Sequence, residues 1–152
     1  MPLQYESQEF SEELKKRLNA NTEYREKAKN MTWKILIIAA DVPFATISSY
    51  VDGELVERKH VPAAEIEAHK RHADFTVEIP TFELSVEMAI GKHSLESLFM
   101  SGKLKVDGSI FKAMRYRDAL GLMGNILREL TNESIIPSKE ELMQTLQQRG
   151  LL

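Results

Sequence analysis

The chain has 152 residues, 43% hydrophobic and 28% charged, with a formal net charge of −3, which describes one ordinary globular domain rather than a disordered or fibrous segment. A mildly acidic balance gives no global attraction to nucleic acid, and the lack of cysteine excludes disulfides and thiolate chemistry. The opening MPLQYESQEF has no basic segment followed by an apolar run, and the longest apolar run, residues 35–40, is too short to cross a bilayer; the expected location is cytoplasmic.

Phe10, Leu14 and Leu18 recur at helical spacing in a charged background, which predicts an amphipathic helix over residues 5–19. Asn21 or Thr22 can cap a short second helix carrying Tyr24 and Ala28. The period then changes. Residues 33–40 are rich in Ile and apolar on both alternations, as in a strand covered on both faces. A second strand is expected at 44–51 and a third at 54–61, joined by Asp52-Gly53, a pair suited to a two-residue hairpin. The third strand is polar enough to lie at an edge.

Residues 62–72 carry Ile66 as their one large apolar side chain and read as a solvated helical turn or loop. A fourth strand follows at 74–79. Pro80-Thr81 opens a helix with Phe82, Val86 and Ala89 on one stripe, stopped at Gly91. Ser94 can cap a short helix holding Leu95, Leu98 and Phe99, stopped at Gly102, before a fifth strand at 103–107 with Leu104 and Val106 inward. A long helical stretch with Ile110, Phe111, Met114, Leu120, Met123 and Leu127 runs to Leu130. Ser138 with Glu141 forms a capping box that starts a terminal helix bearing Leu142 and Leu146.

Chemistry-bearing patterns are sparse. His69 and His72 lie beside Glu65 and Glu67 but lack a third ligand at fixed spacing, so a solvated charged turn accounts for them better than a metal site. Glu83 and Glu87 share a helix face, the ordinary solvent side of an amphipathic helix, and are the one pair an enzyme reading could use. The serines sit in no Gly-x-Ser-x-Gly elbow. Gly91-Lys92 and Gly102-Lys103 end helices rather than begin them, where the dipole repels phosphate. Met88, Met100, Met114 and Met123, with Phe82, Phe99 and Phe111, remain; by periodicity alone they are plain core, although methionine also adapts to a pocket of variable occupancy.

The segment from Ala73 to Met114 closely resembles the sterol carrier protein-2 (SCP2) domain family. The resemblance rests on the strand opening Ala73-Asp74-Phe75-Thr76-Val77, on Gly91-Lys92 after an apolar helix, on Leu98-Phe99, and on Gly102-Lys103-Leu104-Lys105-Val106-x-Gly108 followed by a helix with Ala113-Met114. Looser similarity extends it over about residues 14–130; residues 62–72 and the tail after Asn132 have no clear counterpart, and the ending Arg-Gly-Leu-Leu is not a peroxisomal tripeptide.

The resemblance implies a single α/β (α+β) domain over residues 1–152, with a five-stranded, largely antiparallel sheet covered by helices and a helical tail at 131–152. It further implies an apolar tunnel between sheet and helices that holds a fatty acyl chain, a sterol or a similar lipid without catalysis. The expected lining is Ile35, Ile37, Phe75, Phe82, Val86, Leu98, Phe99, Leu104, Val106, Phe111, Met114 and Met123. No catalytic residue, metal or cofactor is expected, membrane contact is at most transient, and a homodimer or a partner enzyme is left open. The alternative is an accessory subunit that presents a hydrophobic substrate to a partner enzyme, favoured by an exposed tail helix. The tail is expected to dock over the long helix, within the chain or in a dimer, and to gate one end of the tunnel, leaving a folded domain when it is removed.

Overall fold

A computed structural model describes residues 2–152. Its elements run α1 (Gln8–Ala20), α2 (Thr22–Lys27), β1 (Trp33–Ala39), β2 (Phe44–Val51), β3 (Glu54–Val61), a 3-10 turn (Ala63–Glu65), α3 (Ile66–Lys70), β4 (Phe75–Ile79), α4 (Phe82–Ala89), α5 (Leu95–Met100), β5 (Lys105–Asp107), α6 (Ile110–Arg115), α7 (Arg117–Asn132) and α8 (Lys139–Gln148). The sheet order is β3-β2-β1-β4-β5. Every pairing is antiparallel except β1 with β4, which is parallel. A parallel pair needs a long crossover, and residues 40–74, which contain the β2–β3 hairpin and α3, provide it.

The expected starts and stops act through local chemistry. Ser7, Asn21, Thr81, Ser94, Ser109 and Ser138 each accept a backbone N–H at a helix start, the last within a full capping box. The hairpin turn places both Asp52 and Gly53 at positive φ, and a Cβ on Gly53 would stand 2.7 Å from the Ala28 carbonyl oxygen. Gly108 lets the chain pass against Phe75 where a Cβ would come within 2.5 Å of the ring.

Side-chain alternation gives the sheet two faces. The smaller cluster, Leu36, Ile38, Ala45, Ile47 and Val61, is closed by Ile66 of α3, so the segment read as a solvated helical turn or loop is helical and, through that one side chain, also a structural cap. The other face carries Trp33, Ile35, Ile37 and Ala39 from β1, Phe75, Val77 and Ile79 from β4, and Tyr50 from β2, and it looks toward the helices. Trp33 anchors it, with its ring centroid 4.7 Å from Phe75 and 5.2 Å from Tyr116. The predicted long helix is divided at Tyr116, so α7 enters the core while α6 stays outside it.

β3 is an edge strand as expected, yet it contributes buried charge. A bulge at Ser49/Tyr50 pairs Tyr50 with Leu55 and Ser49 with Glu57. The extra residue reverses the alternation and turns Arg58 and His60 toward the helices. Arg58 donates to Glu6 Oε1 at 2.7 Å and to Ser11 Oγ at 2.6 Å, with its guanidinium 5.8 Å from the Phe10 ring centre. Desolvation alone would lower the Arg58 pKa, but the Glu6 carboxylate outweighs it and the pKa is raised, so the side chain stays charged while buried.

The tail is held by polar contacts as well as by its apolar stripe. Lys139 pairs with Asp41 at 3.1 Å, Arg149 meets His60 Nδ1 at 2.8 Å, and the Ala63 N–H donates to the Leu151 carbonyl. These contacts tie α8 to the loop after β1 and to the end of β3, while Leu142 and Leu146 share the main core cluster with Ile126 and Leu130 of α7. The two leucines are 4% and 1% exposed. Removing residues 138–152 should therefore cost about 3–6 kcal/mol, from two buried leucines at roughly 1.5–3 kcal/mol each, contrary to the expectation of an intact truncated domain. Urea unfolding of the truncated chain measures it; a loss below about 1 kcal/mol would mark the tail as peripheral.

Candidate lipid-binding site

The helix-facing side of the sheet is not evenly covered. One apolar cluster gathers Trp33, Ala39, Phe44, Phe75 and Phe82 with side chains from α1, α2, α7 and α8. A second gathers Val77, Ile79, Leu98 and Leu104, with Leu84, Met88 and Val106 packed against it. Both lie on the same face, and Ile37, at the middle of the central strand, falls between them. It is 38% exposed, while its cross-strand neighbours Thr46 and Val77 are buried. A central-strand isoleucine exposed on the helix-covered face marks a break in the cover.

The register describes the floor beneath that break. The row Val106, Val77, Ile37, Thr46, His60 crosses all five strands, and the adjacent row runs Phe75, Ile35, Ser48, Arg58. The floor is hydrocarbon under β5, β4 and β1 and polar under β2 and β3. At the polar end, burial pushes the His60 imidazole down to about 4, so it is neutral at pH 7, and pushes the Tyr50 phenol up to about 12. Burial, with Glu6 adjoining, also raises the Tyr5 phenol far above its ordinary value.

The residues expected to line a tunnel separate into three sets. Ile35, Val86 and Met123 are half-buried against the main cluster, with Met123 Sδ 3.3 Å from the Tyr50 hydroxyl, and Val106 is half-buried against the second. With Ile37 they are the members of the expected lining that are partly covered on the sheet and on α4 and α7. Phe75, Phe82, Leu98 and Leu104 are buried in the clusters themselves. Phe99, Phe111 and Met114 are exposed, Phe111 by 87% and Met114 by 61%. These three stand on α5 and α6, before and after the edge strand β5 in the chain.

Other candidates are quieter. A broad open groove of about 700 Å³ beside α1 is lined by Leu3, Gln8, Glu9, Glu12, Glu13 and Lys16, and its three carboxylates make it a poor solvent for a hydrocarbon. On the opposite sheet face, His69 and His72 border a depression of about 70 Å³ shared with Lys34, Glu57 and Lys59. Among the described residues no three His, Asp or Glu side chains gather as a metal site. Glu87 pairs with His93 Nε2 at 2.9 Å, an interaction that the sequence reading of Glu83 with Glu87 missed, and Glu83 is exposed.

Comparison with known proteins assigns this architecture. The chain matches the SCP-2 sterol transfer family over residues 12–121, most of its length, and it belongs to that family of lipid-binding and transfer domains. Among solved structures it is similar to a sterol carrier protein 2, at 22% identity and TM-score 0.68, covering 81% of this chain and 96% of the other. A conserved hypothetical protein of Thermus thermophilus, described as possibly a sterol carrier protein, matches at 21% identity and TM-score 0.67 over 88% of this chain and 92% of the other. A ubiquinone synthesis protein, UbiJ-SCP2, matches more distantly at 18% identity and TM-score 0.50 over 76% and 92%. These likenesses show the fold. No curated protein matches the chain in sequence. Among the described residues no helix is long and apolar enough to cross a membrane.

The gap over Ile37 generates a direct test. Ile37→Trp should fill it, weakening binding of a fluorescent fatty acid at least about tenfold, equivalent to roughly 1.4 kcal/mol, while stability shifts by less than about 1 kcal/mol because the position is already part-exposed. Ile38→Trp, on the opposite and closed face, should instead overpack and cost about 1–3 kcal/mol. Unaltered ligand affinity in a folded Ile37→Trp variant would remove Ile37 from the site.

Proposed function

We propose that the protein is a non-catalytic lipid-binding and transfer protein, in which one fatty acyl chain, sterol or similar hydrophobic ligand lies over Ile37 between the two apolar clusters. The observation that carries this reading is that exposed isoleucine at the centre of the central strand. A hydrocarbon placed there covers Ile37 and reaches Ile35, Val86, Val106 and Met123, each only half-buried without it. Its polar end is oriented toward Thr46 and Ser48, where the floor changes character.

Transfer follows from equilibrium binding. At about 0.8 kcal/mol per buried CH₂, roughly fourteen methylenes gain about 11 kcal/mol. Lost translational freedom and side-chain ordering remove several of these, leaving a dissociation constant on the order of micromolar. Such a site loads from a membrane and releases to one, and no bond is made or broken.

The accessory-subunit reading drew on an exposed tail helix, and that helix buries its leucine stripe in the core. It is left with the exposed apolar side chains of α5 and α6 as a contact surface, and co-purification with a partner enzyme would favour it. For the transfer reading, titration with a fluorescent fatty acid or sterol analogue should saturate with a micromolar midpoint. Absence of saturable binding up to about 100 micromolar, well above the estimate, would overturn it, and turnover of an acyl-thioester substrate would contradict the non-catalytic assignment.

A further inference from the structure

The largest uncommitted apolar surface lies on α5 and α6, the two short helices on either side of edge strand β5. Met100 is 77% exposed, Phe111 87% and Met114 61%, with Leu95, Phe99 and Ile110 exposed beside them. Isolated exposed apolar side chains are ordinary, but six within twenty residues are not. On α6 the spacing of Ile110 and Met114 (i, i+4) and of Phe111 and Met114 (i, i+3) joins these residues into one patch.

The charge around this patch is equally uneven. Residues 91–117 contain Lys92, Lys103, Lys105, Lys112, Arg115 and Arg117 against only Glu96 and Asp107, in a chain whose net charge is −3. All six basic side chains are exposed. Among the described residues none of them forms an ion pair, whereas Arg17, Arg58, Lys59, Lys70 and Lys139 all do. Protruding aromatic and methionine side chains interspersed along the chain with unpaired cations fit an apolar layer beneath a sheet of anions, which is the cross-section of an anionic bilayer surface. A second copy of the chain would set these cations against one another across a symmetric contact.

We infer that the α5–β5–α6 edge is the face by which the protein docks on anionic membranes, Phe111, Met114 and Met100 entering the interface while Lys103, Lys112 and Arg115 meet lipid headgroups. This placement brings the bilayer beside β5, whose Val106 begins the apolar row leading to Ile37. Its purpose rests on the lipid-transfer reading; its existence does not.

Vesicle co-sedimentation tests it, using phosphatidylcholine vesicles with and without phosphatidylserine. Wild-type protein should bind the anionic vesicles and release when ionic strength rises from about 0.1 to about 1 M, as the screening length falls from roughly 10 to 3 Å. The Lys112→Gln/Arg115→Gln variant should lose roughly 30-fold in partitioning, at about 1 kcal/mol per charge. Phe111→Ser should weaken binding with its salt dependence unchanged, and both variants should bind a soluble fluorescent fatty acid as wild type does. Equal binding to neutral and anionic vesicles, indifference to these substitutions, or a wild-type dimer that the same variants convert to monomer would each overturn the proposal. Failure of soluble fatty-acid binding with vesicle binding intact would instead refute the carrier reading and leave the docking face standing.

Discussion

The helices over one side of the sheet pack into two apolar clusters that leave the middle of the central strand only part-covered. Trp33, with Phe75 tilted and Tyr116 edge-on against it, organises the cluster toward α1, α2 and α7, while Val77, Ile79, Leu98 and Leu104 organise the other beside α5 and β5. Between them the central strand keeps an isoleucine partly in water. Exposure of such a side chain forgoes a share of the roughly 1.5–3 kcal/mol its full burial would contribute. On the proposed lipid-transfer reading, that loss is recovered when a hydrophobic guest covers the side chain.

Keeping the gap requires rigid walls, and much of the remaining structure provides them. The Glu6–Arg58 pair ties the segment before α1 to β3 with both side chains buried. Paired burial of this kind adds little stability by comparison with an apolar replacement, but loss of either partner strands a charge and is costly. The pair therefore acts as a registration device, accepting one docking position of the N-terminal segment. α8 performs a similar service from the other terminus with Leu142 and Leu146, held by Asp41, His60 and Ala63. Both chain ends converge near β3, away from β5, and leave the opposite sheet edge free.

Much of this was legible in the sequence because it is local. Caps at Ser7, Asn21, Ser94 and Ser138, the Asp52-Gly53 turn and period-2 runs such as Phe75, Val77 and Ile79 operate within a few residues. The five strands and the edge position of β3 followed from such signals, and the family from the resemblance carried by residues 73–114. What escaped was non-local. The β3 bulge reversed the faces of Arg58 and His60, and nothing in Glu54–Val61 announces a bulge. Ile66 became a cap and Leu142 a core residue because distant surfaces needed covering. Among the expected lining, Phe99, Phe111 and Met114 share apolar character with Ile35 and Val86; only the break at Tyr116 and the edge position of β5 separate the surface set from the gap. Ile37 was named in the sequence, but as one of a row of similar residues, and its distinction is purely a matter of what fails to cover it.

The most direct measurement is methyl NMR of the isoleucines and valines during titration with a long-chain fatty acid. The account predicts that Ile37, Ile35, Val77, Val86 and Val106 shift together with one saturating midpoint, while Ile38, Ile47 and Ile66, in the closed cluster on the other sheet face, stay in place. Saturating binding that moves the methyl groups of Ile38 and Ile47 and leaves Ile37 unmoved would contradict it.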